Sequence, residues 1–411
     1  MVRRIVADYY STTREFTTNA RLFLVATFLS WIGLSVNQVV FNLYLVAGGY
    51  REDTVGGVTS LTGVGMAVAA LPSGWAADRF GRRAVLRAGA AVLALGLLAR
   101  ALSLAPFALY GASFVLGVGQ ALITIASSPF MSDNSLPNER THLFSMHFVV
   151  VLLAGIAGNL LGGELPGLFA GHAAGVFASP MLAYRGALVV GAFASLLALV
   201  PLGQIAESVP AEHERPLPVR ARDHAPLLAK LAVTFLLLGS GAGLIMPFFN
   251  LYFARRYGAT AGQIGIYFSV AQVITLVATL LGPLIAQRLG KLRAITLLQF
   301  LSLPFLVSLG FESGLAISVL AFWMRSAFMQ MSSPLLNSYA MDRVPPQLRA
   351  RAHGIDNMCW YVGWSLSSAL AGVVIARFGY SYPYYLTALL YGVATLVFYL
   401  NFRPAREDAR T

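Results

Sequence analysis

A chain of 411 residues that is 57% hydrophobic and only 11% charged, with a mean hydropathy of +0.69, is not an ordinary water-soluble globule, since soluble domains carry about 25% charged residues. Its formal net charge of +12 sits in short links between apolar runs, so the matching partner is the anionic face of a membrane rather than nucleic acid. The single cysteine, Cys359, lies in an apolar segment, which leaves no disulfide framework and no cysteine metal cluster.

From the N-terminus, the first twenty residues lack the apolar core of a cleavable signal peptide and read as a cytoplasmic tail. Apolar runs long enough to cross a bilayer as helices follow, and a helix satisfies its own backbone polar groups, as lipid requires. Six spans are expected near 22–47, 54–77, 84–103, 105–130, 142–165 and 183–203. Six more are expected near 227–253, 261–286, 293–310, 313–337, 351–377 and 382–402. A polar, proline-broken stretch separates the two sets. The expected domains are therefore 1–203, a linker 204–226, and 227–411.

Orientation follows from the basic residues. With the N-terminus inside, 22 of the 29 lysines and arginines fall on the inner side. The outer side keeps Arg51, Arg100, Arg185, Arg255, Arg256 and Arg377, and Arg325 lies within a span. Both termini are expected in the cytoplasm of a plasma (inner) membrane protein.

The chain also repeats. FNLYL at Phe41–Leu45 returns as FNLYF at Phe249–Phe253, an offset of 208. DRFGRR at Asp78–Arg83 returns as QRLGKL at Gln287–Leu292, and PNER at Pro137–Arg140 as PQLR at Pro346–Arg349, both at 209. SSP at Ser127–Pro129 recurs at Ser332–Pro334, at 205. Four landmarks in one order describe two six-helix halves of common origin, in the same orientation because six is even.

With these features the sequence resembles the major facilitator superfamily of secondary transporters. The link GWAADRFGRR matches that family's loop signature between the second and third helices at Gly74, Asp78, Arg79, Gly81, Arg82 and Arg83. GNLLGG at Gly158–Gly163 is similar to the G-P-x-x-G-G signature of the drug antiporter branch, with Asn159 in place of proline. That branch often carries an arginine four residues before a glycine in the fourth helix; ahead of Gly117 this chain has Ser113. The resemblance implies an all-α polytopic membrane protein with 12 transmembrane helices in two pseudo-symmetric six-helix bundles, cycling by alternating access. It implies that Asp78 latches the cytoplasmic side against the other half, with Arg82 and Asp133 as a supporting pair. Gly74 would allow close helix approach and Gly81 a tight turn. Gln287 stands where the second half would repeat Asp78, so an acid latch is one-sided.

In the family the first, fourth, seventh and tenth helices line a central cavity, with the site near the midplane between repeats. The polar residues expected there are Asn37, Gln38, Asn42, Tyr44, Gln120, Asn250 and Tyr252, of which Asn42 and Asn250 could equally serve as polar glue between helices. Phe41, Phe248 and Trp323 would line a cavity for an amphipathic substrate, or pack helices. Arg325, mid-span and without an acid in its own segment, needs a partner or a wet cavity. It could grip an anionic group on the substrate, pair with Asp356 in a proton-loading couple, or form a static buried pair. Asp356 is the main candidate proton carrier, because few other acids lie so deep. His147 and His353 lie near span boundaries, in interfacial roles.

The expected function is secondary active transport, with proton-coupled efflux of an amphipathic compound as the first reading. Transport of a polar or anionic metabolite, with Arg325 as counter-charge, is the second. A membrane-embedded enzyme finds no support in a clustered acid, histidine or nucleophile grouping, and no phosphate-binding loop marks an ATP-driven pump. The expected partners are a small-molecule substrate, protons and anionic lipid head groups, for a monomer without cofactor or metal.

Overall fold

In a computed structural model, residues 16–136, 139–172, 179–206, 221–311 and 313–403 are described. The tail up to residue 15, linker residues 207–220 and the first two residues of the PNER landmark lie outside the described residues. So do Arg3, Arg4, Arg14, Arg215, Arg220, Arg406 and Arg410 of the charge argument.

Among the described residues, twelve helices are long and apolar enough to span a membrane. They are α1 (Thr18–Ala47), α2 (Glu52–Phe80), α3 (Arg82–Leu102), α4 (Pro106–Asp133), α5 (Arg140–His172) and α6 (Pro180–Gln204). The second set is α7 (Ala225–Tyr257), α8 (Ala261–Leu289), α9 (Lys291–Gly310), α10 (Leu315–Arg343), α11 (Arg349–Phe378) and α12 (Ser381–Phe402). All twelve expected spans are present, half of them extended by a turn or more. Apolar residues alone set the expected limits, whereas helical hydrogen bonding continues through the polar ends. In α7 a single 3₁₀ turn at Met246–Phe248 interrupts the α geometry at Pro247, whose ring cannot donate to the ladder.

The repeat is visible in backbone and side chains alike. Gly81 before α3 and Gly290 before α9 both adopt positive φ, +85° and +78°, the region open to glycine, and both reverse the chain sharply. Beside these turns Arg82 pairs with Asp133 at the end of α4, and also donates to the Pro129 carbonyl at 2.9 Å. In the second half Lys291 pairs with Asp342 at 2.5 Å and donates to Ser338 Oγ at 2.8 Å. Arg82 and Lys291 are 209 apart, as are Asp133 and Asp342. Arg140 then donates to the Ser132 carbonyl, and Arg349 to the Met341 carbonyl, again 209 apart.

The chain packs as two compact units. The first comprises Met1–Tyr50, Val64–Glu214 and Phe253–Ser269; the second comprises Arg51–Gly63, Arg215–Tyr252 and Val270–Thr411. The packing units therefore depart from the sequence halves at the start of α2 and around the α7–α8 turn. Small residues explain both departures.

Within the first unit, α5 and α8 meet backbone to backbone. A Cβ on Gly163 would strike Ala261 and Gly262, and one on Gly265 would strike the Asn159 carbonyl. Ser269 Oγ donates to the Ile156 carbonyl at 3.3 Å. Within the second unit, α2 and α11 meet in the same way. A Cβ on Gly372 would strike the Glu52 carbonyl and Gly56, while Ser60 Oγ and Ser365 Oγ lie 3.0 Å apart. Gly56 and Gly265, Ser60 and Ser269, and Gly163 and Gly372 are each 209 apart, so the seam itself was duplicated. Small residues let helix backbones approach closely where lipid gives no hydrophobic drive.

Candidate functional site

FNLYL and FNLYF build the same joint twice. Tyr44 is fully buried and its hydroxyl donates to the Ala101 carbonyl at 3.1 Å, tying α1 to the end of α3. Tyr252, also fully buried, places its hydroxyl 2.9 Å from the Leu309 carbonyl and 3.2 Å from Ser318 Oγ, tying α7 to α9 and α10. Both hydroxyls, expected among the cavity polar groups, are engaged in helix joints in this structure. Asn250 is buried and its Oδ1 accepts from the Leu251 amide at 2.8 Å, and Asn42 is buried likewise. For these four residues the packing role is the one the geometry displays.

The phenylalanine of each motif carries a guanidinium. In the first unit Arg100 is buried in α3, stacks 4.3 Å above the centroid of Phe41, and donates Nε to Ser113 Oγ at 2.9 Å. It lies in the last turn of its span, where hydroxyl and ring solvate it inside the bundle. In the second unit Arg325 is only 4% exposed and donates Nη2 to the Tyr391 hydroxyl at 3.1 Å. Its guanidinium carbon lies 5.8 Å from the Phe249 ring and 5.9 Å from the Tyr391 ring. Phe249 packs in turn on Phe322 and Tyr384. The same phenylalanine position thus meets an arginine from α3 in one unit and from α10 in the other.

Arg325 makes no ion pair with Asp356 among the described residues; its Nε is buried without a hydrogen bond. Asp356, in α11, is 3% exposed, and its Oδ2 has no hydrogen-bond partner. A buried carboxylate without a cation must take up a proton or a positive group. The nearby His353 is exposed and shares a hydrogen bond with Asn357, while His147 stacks on Phe23.

Other expected cavity residues are more open. Asn37, Gln120 and Trp323 are half-buried and Gln38 is exposed, whereas Phe41 and Phe248 are buried. In the link, Asp78 and Arg79 are exposed, and Arg79 lies over the exposed rings of Trp75 and Phe80. Arg83 is half-buried. A Cβ on Gly74 would meet nothing within 4 Å, so close helix approach is not its role. In GNLLGG, Gly158 and Gly162 lie against α1, and Asn159 and Gly163 against α8. Those glycines therefore serve two helix contacts in this chain.

Sequence reasoning missed Arg100, Tyr391 and Asp342. Asp342 repeats Asp133 at the 209 offset and could have been found from it; Tyr391 has no such signal, because only folding brings α12 to α10.

The family model described as Major Facilitator Superfamily matches residues 23–368 and 231–411. The uncharacterized membrane protein YJR124C of Saccharomyces cerevisiae is 23% identical over 318 residues, 68% of this chain and 70% of its own length. The uncharacterized MFS-type transporter YdeE of Escherichia coli is 21% identical over 159 residues, 39% of this chain and 40% of its own length. Among solved structures, a bacterial homolog of the human lysosomal transporter Spinster, inward-facing and occupied, superposes with a TM-score of 0.80 at 14% identity, over 95% of this chain and 97% of that one. A D-xylose-proton symporter superposes with a TM-score of 0.73 at 14% identity, over 94% and 98%. Identities this low establish the shared fold alone.

Proposed function

The chain belongs to the major facilitator superfamily and is a multi-pass membrane transporter rather than an enzyme, and from that premise we propose that it exports an amphipathic small molecule in exchange for protons. The observation that carries the proton coupling is Asp356, buried in α11 with an orphaned Oδ2. Its Oδ2 finds no donor among the described residues, so binding and release of a proton is the simplest way to balance its charge through a cycle. Arg325 is held by Tyr391 and Phe249 as a structural cation. Proton coupling is within the repertoire of the fold, since one neighbour is a D-xylose-proton symporter.

In this reading the sequence halves 1–203 and 227–411, joined by 204–226, move as the alternating elements in the plasma membrane with both termini cytoplasmic. The glycine seams of α5 with α8 and α2 with α11 are where backbones part and rejoin. Asp78 biases the cycle from its exposed place at the end of α2. Asn37, Gln38, Gln120 and Trp323 remain the substrate-facing residues, because they keep exposed surface.

A second reading, transport of an anionic metabolite with Arg325 as counter-charge, is favoured by the buried Nε that lacks a partner. Purified protein in liposomes, given a compound panel with and without an imposed pH gradient, separates the two. Gradient-driven movement of amphipathic compounds supports the first reading. Gradient-independent movement of anions, lost in Arg325→Met, replaces it with the second.

A further inference from the structure

A cleft of about 730 Å³ opens within the first unit, between the C-terminal part of α5 and the N-terminal turns of α6 and α8. This volume is in the range of small-molecule sites, roughly 300–1,000 Å³. Its walls are mainly apolar, including Pro166, Ala170, Pro180 and Ile266. One charged group stands in it, the carboxylate of Glu164, exposed and without a hydrogen bond or ion pair to another described residue. Its Oε1 lies 3.0 Å from where a Cβ of Gly262 would stand, so the acid rests over the first turn of α8. Tyr184 lines the same cleft, its hydroxyl without a described partner. Thr260 and Gln263 are occupied with each other as the cap of α8.

We propose that this cleft binds an amphipathic organic cation, with the positive head against Glu164 and the apolar body along Pro166, Ala170 and Ile266. An apolar trough with a single uncompensated negative charge fits one such ligand: an anion is repelled, and a neutral apolar body leaves the acid unused. The Tyr184 ring, which lines the same cleft, adds an aromatic face of the kind that attracts cations. The site is distinct from Asp356 and does not rest on the proton-coupling reading. Its position at the α5–α8 seam couples occupancy to that contact, since Glu164 and Gly163 are adjacent and Gly163 packs on Gly262. Cationic solutes and aminolipids share this chemistry.

The test is equilibrium binding of labelled tetraphenylphosphonium to the purified full chain in non-ionic detergent, with uncharged triphenylphosphine oxide as control. Wild type is expected to bind the cation saturably and the oxide at least about tenfold more weakly, the equivalent of about 1.4 kcal/mol. Glu164→Gln is expected to weaken the cation about tenfold and to leave the oxide unchanged. Gly167→Leu extends a side chain into the cleft from a position where a Cβ meets nothing within 4 Å, and is expected to weaken both ligands. Displacement by a short-chain phosphatidylethanolamine would identify an aminolipid as the occupant, and its failure a free cation; either outcome keeps the site. Undiminished cation binding in Glu164→Gln, or equal affinity for the oxide, overturns it. So does loss of binding in Asp356→Asn alone, which would put the cation at the other acid. If Glu164→Gln fails to give a monodisperse protein, Glu164→Ala carries the same charge comparison, and Gly167→Leu tests the cleft without touching the acid. Failure of proton coupling would appear separately, as gradient-independent transport, and leaves this binding result untouched.

Discussion

Arg325 donates Nη2 to the hydroxyl of Tyr391 at 3.1 Å, inside the second unit and with no carboxylate in the contact. A guanidinium in a span is costly unless it is hydrogen-bonded or wet, by at least about 2.5 kcal/mol on insertion scales. The phenol oxygen and the faces of Phe249 and Tyr391 take the place of a counter-ion. Tyr391→Phe removes the only acceptor among the described residues and is expected to lower stability by about 1–3 kcal/mol, read as an earlier midpoint of thermal unfolding in detergent. Adding Arg325→Met to Tyr391→Phe should recover most of that loss, because a matched apolar pair replaces an orphaned charge. A double mutant as unstable as the single would show that Arg325 has another essential partner.

Asp356→Asn is expected to uncouple transport from the pH gradient while protein level and downhill exchange of substrate persist. The amide keeps the size of the carboxyl but cannot exchange a proton. Asp356→Glu should retain a gradient response. Flux in proteoliposomes with the gradient imposed and then collapsed measures both. A full gradient response in the asparagine variant would remove Asp356 from the coupling role.

The duplicated seam gives a matched pair of substitutions. Gly372→Val in α11 and Gly265→Val in α8 each push a side chain into a backbone, the Glu52 carbonyl in one case and the Asn159 carbonyl in the other. Overpacking of this kind costs about 1–3 kcal/mol, here charged to the joined state of each seam. Both variants should label faster with a thiol reagent at a cysteine placed at Ser60 or Ser269 respectively. Wild-type labelling rates would show that the seams are not tight in the membrane.

The two link ion pairs should differ in strength. Asp133 is nearly buried, with its side chain 4% exposed, while Asp342 is 57% exposed. Asp133→Asn is expected to cost about 1–3 kcal/mol, because Arg82 keeps its charge beside a half-buried gap. Asp342→Asn should change stability by less than about 1 kcal/mol and respond to salt. Thermal unfolding of both variants at low and high ionic strength makes the comparison.

The sequence by itself determined the class, the twelve spans, the repeat and the family signature. Each of these follows from local composition and spacing: an apolar run of about 20 residues has few alternatives to a membrane helix, and a motif is read where it stands. The Arg82 and Asp133 pair was also within reach, because the family signature names one partner and the span boundary the other. Direction of side chains was not. Tyr44 and Tyr252 look like cavity polar residues in one dimension, and only the folded bundle turns their hydroxyls onto the ends of α3 and α9. Arg100 reads as a charge at the outer end of a span, and only the packing of α1 and α4 shows what holds it, while the partner of Arg325 comes from a helix 66 residues away. In a chain whose helices are apolar on nearly every face, periodicity carries little information about which face is buried. Helix packing alone decided which charges are solvated by protein, and left the Oδ2 of buried Asp356 without a hydrogen bond among the described residues.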